Sequence, residues 1–276
     1  MKQKKSVKIL SRVFIILCVI VSMAPIYWMI NTSLKGQSEI YSVVPTMFPH
    51  ELTTDSYTYL LTETNFLTGV KNSLIVAIVV SVFSIVVAYP AAYAIARLKF
   101  KGKKLFSKSI LFTYLLPTSV LYIPLYMLVS RCGLTNNFLG LLLIYPTFTL
   151  PYVAWVLIPH IQSIPYDLDE AAIVDGCSRI RVMYQIIFPL ALPGIISTTI
   201  FAFAMCWGEY LYALVNITSD NMMTFPLVIA GLIFGDMYPW GQLMAGAILA
   251  GIPILIIYTL ASSSLVGGKT AGGVKG

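Results

Sequence analysis

From Val13 to Ile30 the chain carries no charged side chain, and four more such runs follow: Ser73 to Ala96, Ser109 to Ser130, Phe138 to Ile158 and Gln242 to Ser263. A helix needs about 20 apolar residues to cross the hydrocarbon core of a bilayer, and each run is close to that length. A sixth, Ala191 to Tyr212, is interrupted only by Glu209. Peptide groups in lipid must be bonded within the structure, and runs this long and continuous do so as helices. Charged residues make up 11% of the chain, against about a quarter in soluble domains, so no soluble core could hide its apolar surface. The expected fold is an all-α integral membrane protein with six transmembrane helices, at about 13–30, 73–96, 109–130, 138–158, 191–212 and 242–263. They form one transmembrane domain over residues 1–276.

The first run follows Lys2, Lys4, Lys5, Lys8 and Arg12, as a secretory signal would. Ser22-Met23-Ala24 is a poor cleavage site with Pro25 directly behind it, and the apolar run continues through Tyr27 and Trp28. An uncleaved helix is expected. The 31–70 stretch is polar and proline-containing, a folded loop with a short helix near Ser56 to Leu61. Asn221 to Gly235 is short for a span and holds a proline, which suits a re-entrant or interfacial segment.

The basic residues give the spans a direction. With the N-terminus inside, they gather at that terminus, in the cluster Arg97, Lys99, Lys101, Lys103, Lys104 and Lys108, at Arg179 and Arg181, and at Lys269 and Lys275. Of the 18 Lys and Arg, only Lys35, Lys71 and Arg131 fall on the other side. Cytoplasmic loops carry this excess, which faces anionic lipid. The net charge of +7 therefore reports topology and a lipid partner and needs no nucleic acid. Both termini are expected in the cytoplasm.

Chemistry-bearing groups are sparse. Cys18, Cys132, Cys177 and Cys206 form no CxxC, and His50 and His160 stand alone, so no metal site or disulfide framework is expected. No Walker loop, HExxH or GxSxG is present. A chain like this binds no ATP, and an active transporter built on it must borrow its energy. Pro117 and Pro124 break the third span and Pro146 and Pro151 lie within the fourth, and prolines there are tolerated where helices pack or line a cavity.

The loop 163–190 gathers acid, base, Pro and Gly. Ser163 and Pro165 are expected to open a short helix whose start suits Asp167, Asp169 and Glu170. Gly176 is expected to stop it. Ser178 is expected to cap a second helix carrying Arg179 and Arg181 and ending by Pro189 and Pro193. Within the first helix Ala171 and Ala172 sit beside Glu170 and ahead of Asp175, with Leu168, Ile173 and Val174 as an apolar strip. Small residues admit a partner's backbone and the acid offers it a charge, so the helix reads either as a docking site or as a structural helix on the bilayer surface.

Glu209 lies near the end of a span beside Trp207, Tyr210 and Tyr212. A carboxylate at that depth faces water or a partner. The aromatic and polar mix suits a sugar's ring faces and hydroxyls, and it equally suits an interfacial belt.

The pattern Glu170-Ala171-Ala172, then Gly176, then Ile186 to Gly194 resembles the cytoplasmic EAA coupling motif of binding-protein-dependent ABC importer permeases. The similarity extends to PIYWMINTSLK from Pro25, NSLIVA at Asn72, AAYAIARLKFKG at Ala91 and IPLY at Ile123. Trp207 to Tyr210 and the closing TAGGVKG resemble the carbohydrate branch, in its maltose-permease MalG-type half, although that branch often has Asn in place of Gly208. The resemblance implies a type I importer permease in a bacterial or archaeal plasma membrane, one half of a translocation pathway. Its implied partners are a second, non-identical permease, two ATP-binding subunits that hold the ATP, and an extracytoplasmic solute-binding protein. Glu170, Ala171, Ala172, Asp175 and Gly176 would couple to the ATPase; Trp207, Glu209 and Tyr210 would belong to the substrate pathway. A permease for a non-sugar solute shares the coupling residues. An ion-driven transporter would use Glu209 as its one deep ionisable group.

Overall fold

The computed structural model describes residues 5–267. Lys2, Lys4, Lys269, Lys275 and the TAGGVKG tail, which enter the charge and resemblance arguments, lie outside them. Among the described residues the regular structure is helical, apart from one antiparallel bridge between Phe234 and Met237. Five stretches are long and apolar enough to cross a membrane: Leu10–Ser33, Phe66–Arg97, Phe138–Gln162, Arg179–Trp207 and Trp240–Ser262. A bent pair, Lys103–Leu115 with Thr118–Arg131, makes the sixth. The chain forms two compact units, Met1–Leu67 with Val228–Ile252 and Thr68–Leu227 with Pro253–Gly276.

The first unit opens with α1 (Lys5–Ser33), an apolar helix whose most apolar stretch is unburied within the chain, while Asn31, Thr32 and Ser33 at its end are buried. Leu10, Phe14 and Val21 are all exposed, as in a helix whose surroundings are lipid or another subunit. The loop after it carries α3 (Asp55–Thr62) where a short helix was expected, with Leu60 fully buried, and one helix more, α2 (Gln37–Ile40). Lys35 is buried there. Its ammonium donates to Thr46 O at 2.6 Å and lies 5.5 Å above the Trp28 ring. Glu39 accepts from the Thr46 hydroxyl and from the His50 N–H at 3.1 Å. Those two donors, the Thr46 hydroxyl first, hold the Glu39 carboxyl below its usual range despite the opposing effect of burial.

The second unit holds most of α4 (Phe66–Arg97), then α5 (Lys103–Leu115), α6 (Thr118–Arg131), α7 (Phe138–Ile144) and α8 (Pro146–Gln162). After them in the chain come α9 (Asp167–Val174), α10 (Arg179–Arg181), α11 (Phe188–Trp207) and α12 (Leu211–Asn216), then α13 (Phe225–Ala230), which passes into the first unit at Val228; α12 and α13 are well short of a span. The last helix, α14 (Trp240–Gly267), runs from the first unit into the second. The core of the second unit brings Tyr89 and Ala92 of α4 against Leu157 and Ile161 of α8 and Ala191 near the start of α11. A buried bond at 2.7 Å between the hydroxyls of Ser84 and Thr149 ties α4 to α8.

Two expectations about prolines change here, the break at Pro124 and the helix end by Pro189 and Pro193. Pro124 and Pro151 are accommodated inside helices, and Pro146 sits in the first turn of α8 within one continuous span. Pro117 alone breaks its span, and the two halves meet at 97°. The reason is local: Leu116 is extended, the backbone that a residue before proline prefers. The second helix of the loop also does not end at Pro189 and Pro193. From Arg179 it continues through a π-helical stretch, Val182–Ile187, straight into α11. A π turn bonds residues five apart, so the carbonyl that a proline ring would strike in an α-helix is displaced.

Candidate functional site

The site is built around α9. Its start differs from expectation by one element. Ser163 closes α8 instead of opening α9, and its hydroxyl donates to His160 O at 2.7 Å. Pro165 lies just ahead of the Tyr166 N-cap, where a proline after a helix end cannot extend that helix. The first turn carries Asp167, Asp169 and Glu170 as expected.

The other end meets the expectation in detail. Gly176 has φ +85°, its N–H bonds Ile173 O at 3.0 Å, and the Cys177 N–H bonds Ala172 O at 2.9 Å. These two bonds are the Schellman closure, which needs a left-handed residue at the position of Gly176. Ser178 then caps the next helix by accepting from the Arg181 N–H at 3.3 Å.

Neighbouring acids on α9 have opposite fates. Glu170 and Ala171 are exposed, together with Leu168, Ile173 and Val174, and Val174 is 86% exposed. Ile180 and Tyr184 extend this apolar surface beyond Gly176. Ala172 faces inward and seats α9 on the helix core, and Asp175 is exposed at the C-cap. Asp169 is buried against Arg97 at the end of α4, with Oδ2 and Nε 3.4 Å apart. The Tyr93 hydroxyl approaches Asp169 Oδ1 at 3.4 Å. Arg97 also donates from Nη2 to Ile164 O at 2.7 Å and lies 5.5 Å above the Tyr166 ring. Arg97 therefore stands apart from the basic cluster with which its sequence neighbours grouped it.

Two further supports were not foreseen. The Tyr89 hydroxyl donates at 2.7 Å to Met183 O in the π turn, and its ring meets Phe188 edge-on at 5.2 Å. At Gly194 a Cβ would come within 2.7 Å of the His160 ring, so the absence of a side chain there lets α11 approach α8. His160 itself is exposed in the last turn of α8.

At the other end of α11 the helix stops at Trp207, with Gly208 as C-cap. Glu209 lies in the gap before α12. Its carboxylate accepts from the Tyr145 hydroxyl at 2.8 Å, the Tyr212 N–H at 2.8 Å and the Ala213 N–H at 3.1 Å. It is thus the acid that meets the open N–H groups of a helix start. Trp207 is buried, 5.6 Å from Phe203 and 4.6 Å from Phe225, while Tyr210 stays half-buried. Beside this segment, at the 97° break, Tyr114, Thr118, Thr147, Phe148 and Tyr212 line a cavity of about 50 Å³. Among the described residues no cluster of three or more His, Cys, Asp or Glu is placed to hold a metal ion.

The described residues combine apolar helical spans with an exposed, acid-bearing helix seated on the core of the second unit. The family described as "Binding-protein-dependent transport system inner membrane component" matches residues 85–266, and the chain belongs to it: it is a multi-pass inner-membrane permease subunit of an ABC importer, with no catalytic chemistry of its own. The diacetylchitobiose uptake system permease protein DasC of Streptomyces coelicolor is 36% identical over 254 residues, covering 91% of each chain. The trehalose/maltose transport system permease protein MalG of Thermococcus litoralis is 32% identical over 280 residues, covering 100% of each. Among solved structures, a bacterial ABC transporter involved in the import of the acidic polysaccharide alginate has a chain that superposes with a TM-score of 0.76. That match has 20% identity and covers 95% of this chain and 99% of the other, a likeness of fold.

Proposed function

We propose that this permease imports a sugar or oligosaccharide, as one half of a translocation pathway completed by a second, non-identical permease. Two ATP-binding subunits dock beneath the permease pair from the cytoplasm, one of them on α9, both termini lie on that side, and an extracytoplasmic binding protein delivers the solute. All of residues 1–276 serve as one transmembrane domain. The observation that carries the docking half is the outward face of α9: Glu170 and Ala171 exposed beside an apolar strip on a helix anchored from behind. Glu170 supplies the charge for the partner, Ala171 the close approach, Ala172 the seat on the core, and Asp175 with Gly176 the turn that ends the docking face. Support for a sugar comes from the relatives named for diacetylchitobiose and for trehalose and maltose. The aromatic and hydroxyl wall at the 97° break adds to it, since such walls suit ring faces and hydroxyls. In this reading Trp207, Glu209 and Tyr210 belong to the pathway, Glu209 being bonded to the backbone of Tyr212 in that wall.

The tagged chain, extracted in mild detergent, is expected to bring down a second permease and an ATPase, identified by mass spectrometry. Reconstituted with its binding protein, that complex is expected to take up labelled sugar with ATP and with the ion gradient collapsed. Recovery of the chain alone, with uptake driven by an ion gradient, would overturn the reading. Glu209→Gln is expected to change uptake kinetics while assembly stays normal, and unchanged kinetics would leave Glu209 as a helix cap alone.

A further inference from the structure

One stripe of α4 holds the coupling loop at three points. Tyr89, Tyr93 and Arg97 are four residues apart, so they share one helix face. Tyr89 bonds the Met183 carbonyl in the π turn after α9, Tyr93 approaches Asp169 within α9, and Arg97 bonds the Ile164 carbonyl ahead of α9. The loop is thus gripped before, within and behind the helix whose outer face is Glu170 and Ala171. The covalent connections of α9 run to α8 and α11, and this stripe adds the second span, to which α9 has no direct link in sequence.

A fourth contact, between Arg97 and Asp169, is unlike these three. Arg97 Nε and Asp169 Oδ2 face each other at 3.4 Å, both deeply buried, and neither has a hydrogen-bond partner. Across that gap the compensation is the opposite charge, with no hydrogen bond at either atom. A buried charge depends steeply on the position of its partner, because the surroundings screen little. Any tilt of α9 therefore changes the energy of this pair at once, and the cheapest response is for the end of α4 to follow.

We infer that Arg97 is a positioning residue for transport: through Asp169 it ties the second span to the coupling helix, so that movement of α9 under the ATPase is passed to α4. This rests on the reading of α9 as the ATPase dock. Arg97 lies behind α9, away from its exposed face, so loss of Arg97 should leave docking intact while loosening the link between hydrolysis and movement.

The test uses the whole complex in proteoliposomes with its binding protein and records three quantities: ATPase recovered with the permease, ATP hydrolysed, and solute imported. Arg97→Ala is expected to keep ATPase recovery near that of the parent and to lower solute imported per ATP by about tenfold, within the range of ordinary coupling energies. Asp169→Ala is expected to do the same, and the double variant no worse than either, because both remove one interaction. An unchanged import-to-hydrolysis ratio would overturn the inference. So would loss of ATPase recovery, which would make the pair a support of the docking face only. If Arg97→Ala fails to accumulate, Arg97→Lys serves instead. It keeps a charge for Asp169 but lacks the planar fork that reaches Ile164 O as well. A reduced ratio is then expected, and a parental ratio overturns the inference. Glu170→Ala runs alongside: unimpaired recovery of ATPase with that variant refutes the docking reading itself, whatever Arg97 does.

Discussion

Glu170 and Glu209 are both carboxylates close to the N-terminal end of a short helix, yet the chain treats them in opposite ways. Glu209 is closed in by the Tyr145 hydroxyl and by two backbone N–H groups of α12. Glu170 is exposed and takes part in no ion pair or side-chain hydrogen bond among the described residues, although Asp169 beside it is buried against Arg97. A carboxylate that the chain satisfies holds the chain together. One that it leaves open, on a helix it has braced from behind, is free to meet another molecule.

That contrast can be broken by experiment, beginning with its internal side. Glu209→Leu leaves a hydroxyl and two N–H groups without their acceptor, and a loss of about 3 kcal/mol is expected, seen as a lower Tm in detergent. Stability equal to the parent would show that the carboxylate is not the cap of α12. At Gly176 a Cβ meets nothing within 4 Å, so Gly176→Ala is opposed by backbone conformation alone. A cost of about 1–2 kcal/mol is expected, together with weaker ATPase recovery as the end of the docking face shifts. Tyr145→Phe removes one of the three bonds to Glu209, and about 1 kcal/mol is expected in the same Tm measurement. Glu170→Ala should have the smallest effect on stability, within about 0.5 kcal/mol. Its effect lies in association, where ATPase recovery is expected to fall by about fivefold or more. A large Tm loss with Glu170→Ala would erase the distinction between the two acids.

Much of this was readable in advance, and the rest divides by physical cause. The spans were legible because apolar length is a property of consecutive residues, and the Gly176 turn because a left-handed position selects glycine whatever surrounds it. Five spans came out as helices of spanning length and the sixth as a bent pair, and the 97° angle at Pro117 was not legible. A proline marks where a helix can yield; its neighbours decide how far. Arg97 was grouped with the surface lysines because its partner Asp169 lies on another element, and an ion pair between elements leaves no trace in spacing. The continuation through Pro189 was missed because a π turn resolves a conflict that proline poses only to an α-helix. For Glu209 a signal did exist: an acid directly after Gly208 and just before an apolar run is where a helix start places its cap.

The π turn from Val182 to Ile187 also bears on how this chain can change over generations. Its extra residue sets the rotation between the surface at Arg179 to Arg181 and the membrane helix beyond Phe188. Deleting one residue there would let the turn relax to an α-helix and swing the preceding segment by about 100° around the axis. Ile180 and the arginines would then point elsewhere while every span kept its length. Exposed side chains such as Tyr184 can be exchanged without moving the segment, so loss of one residue here is expected to cost transport more than such an exchange.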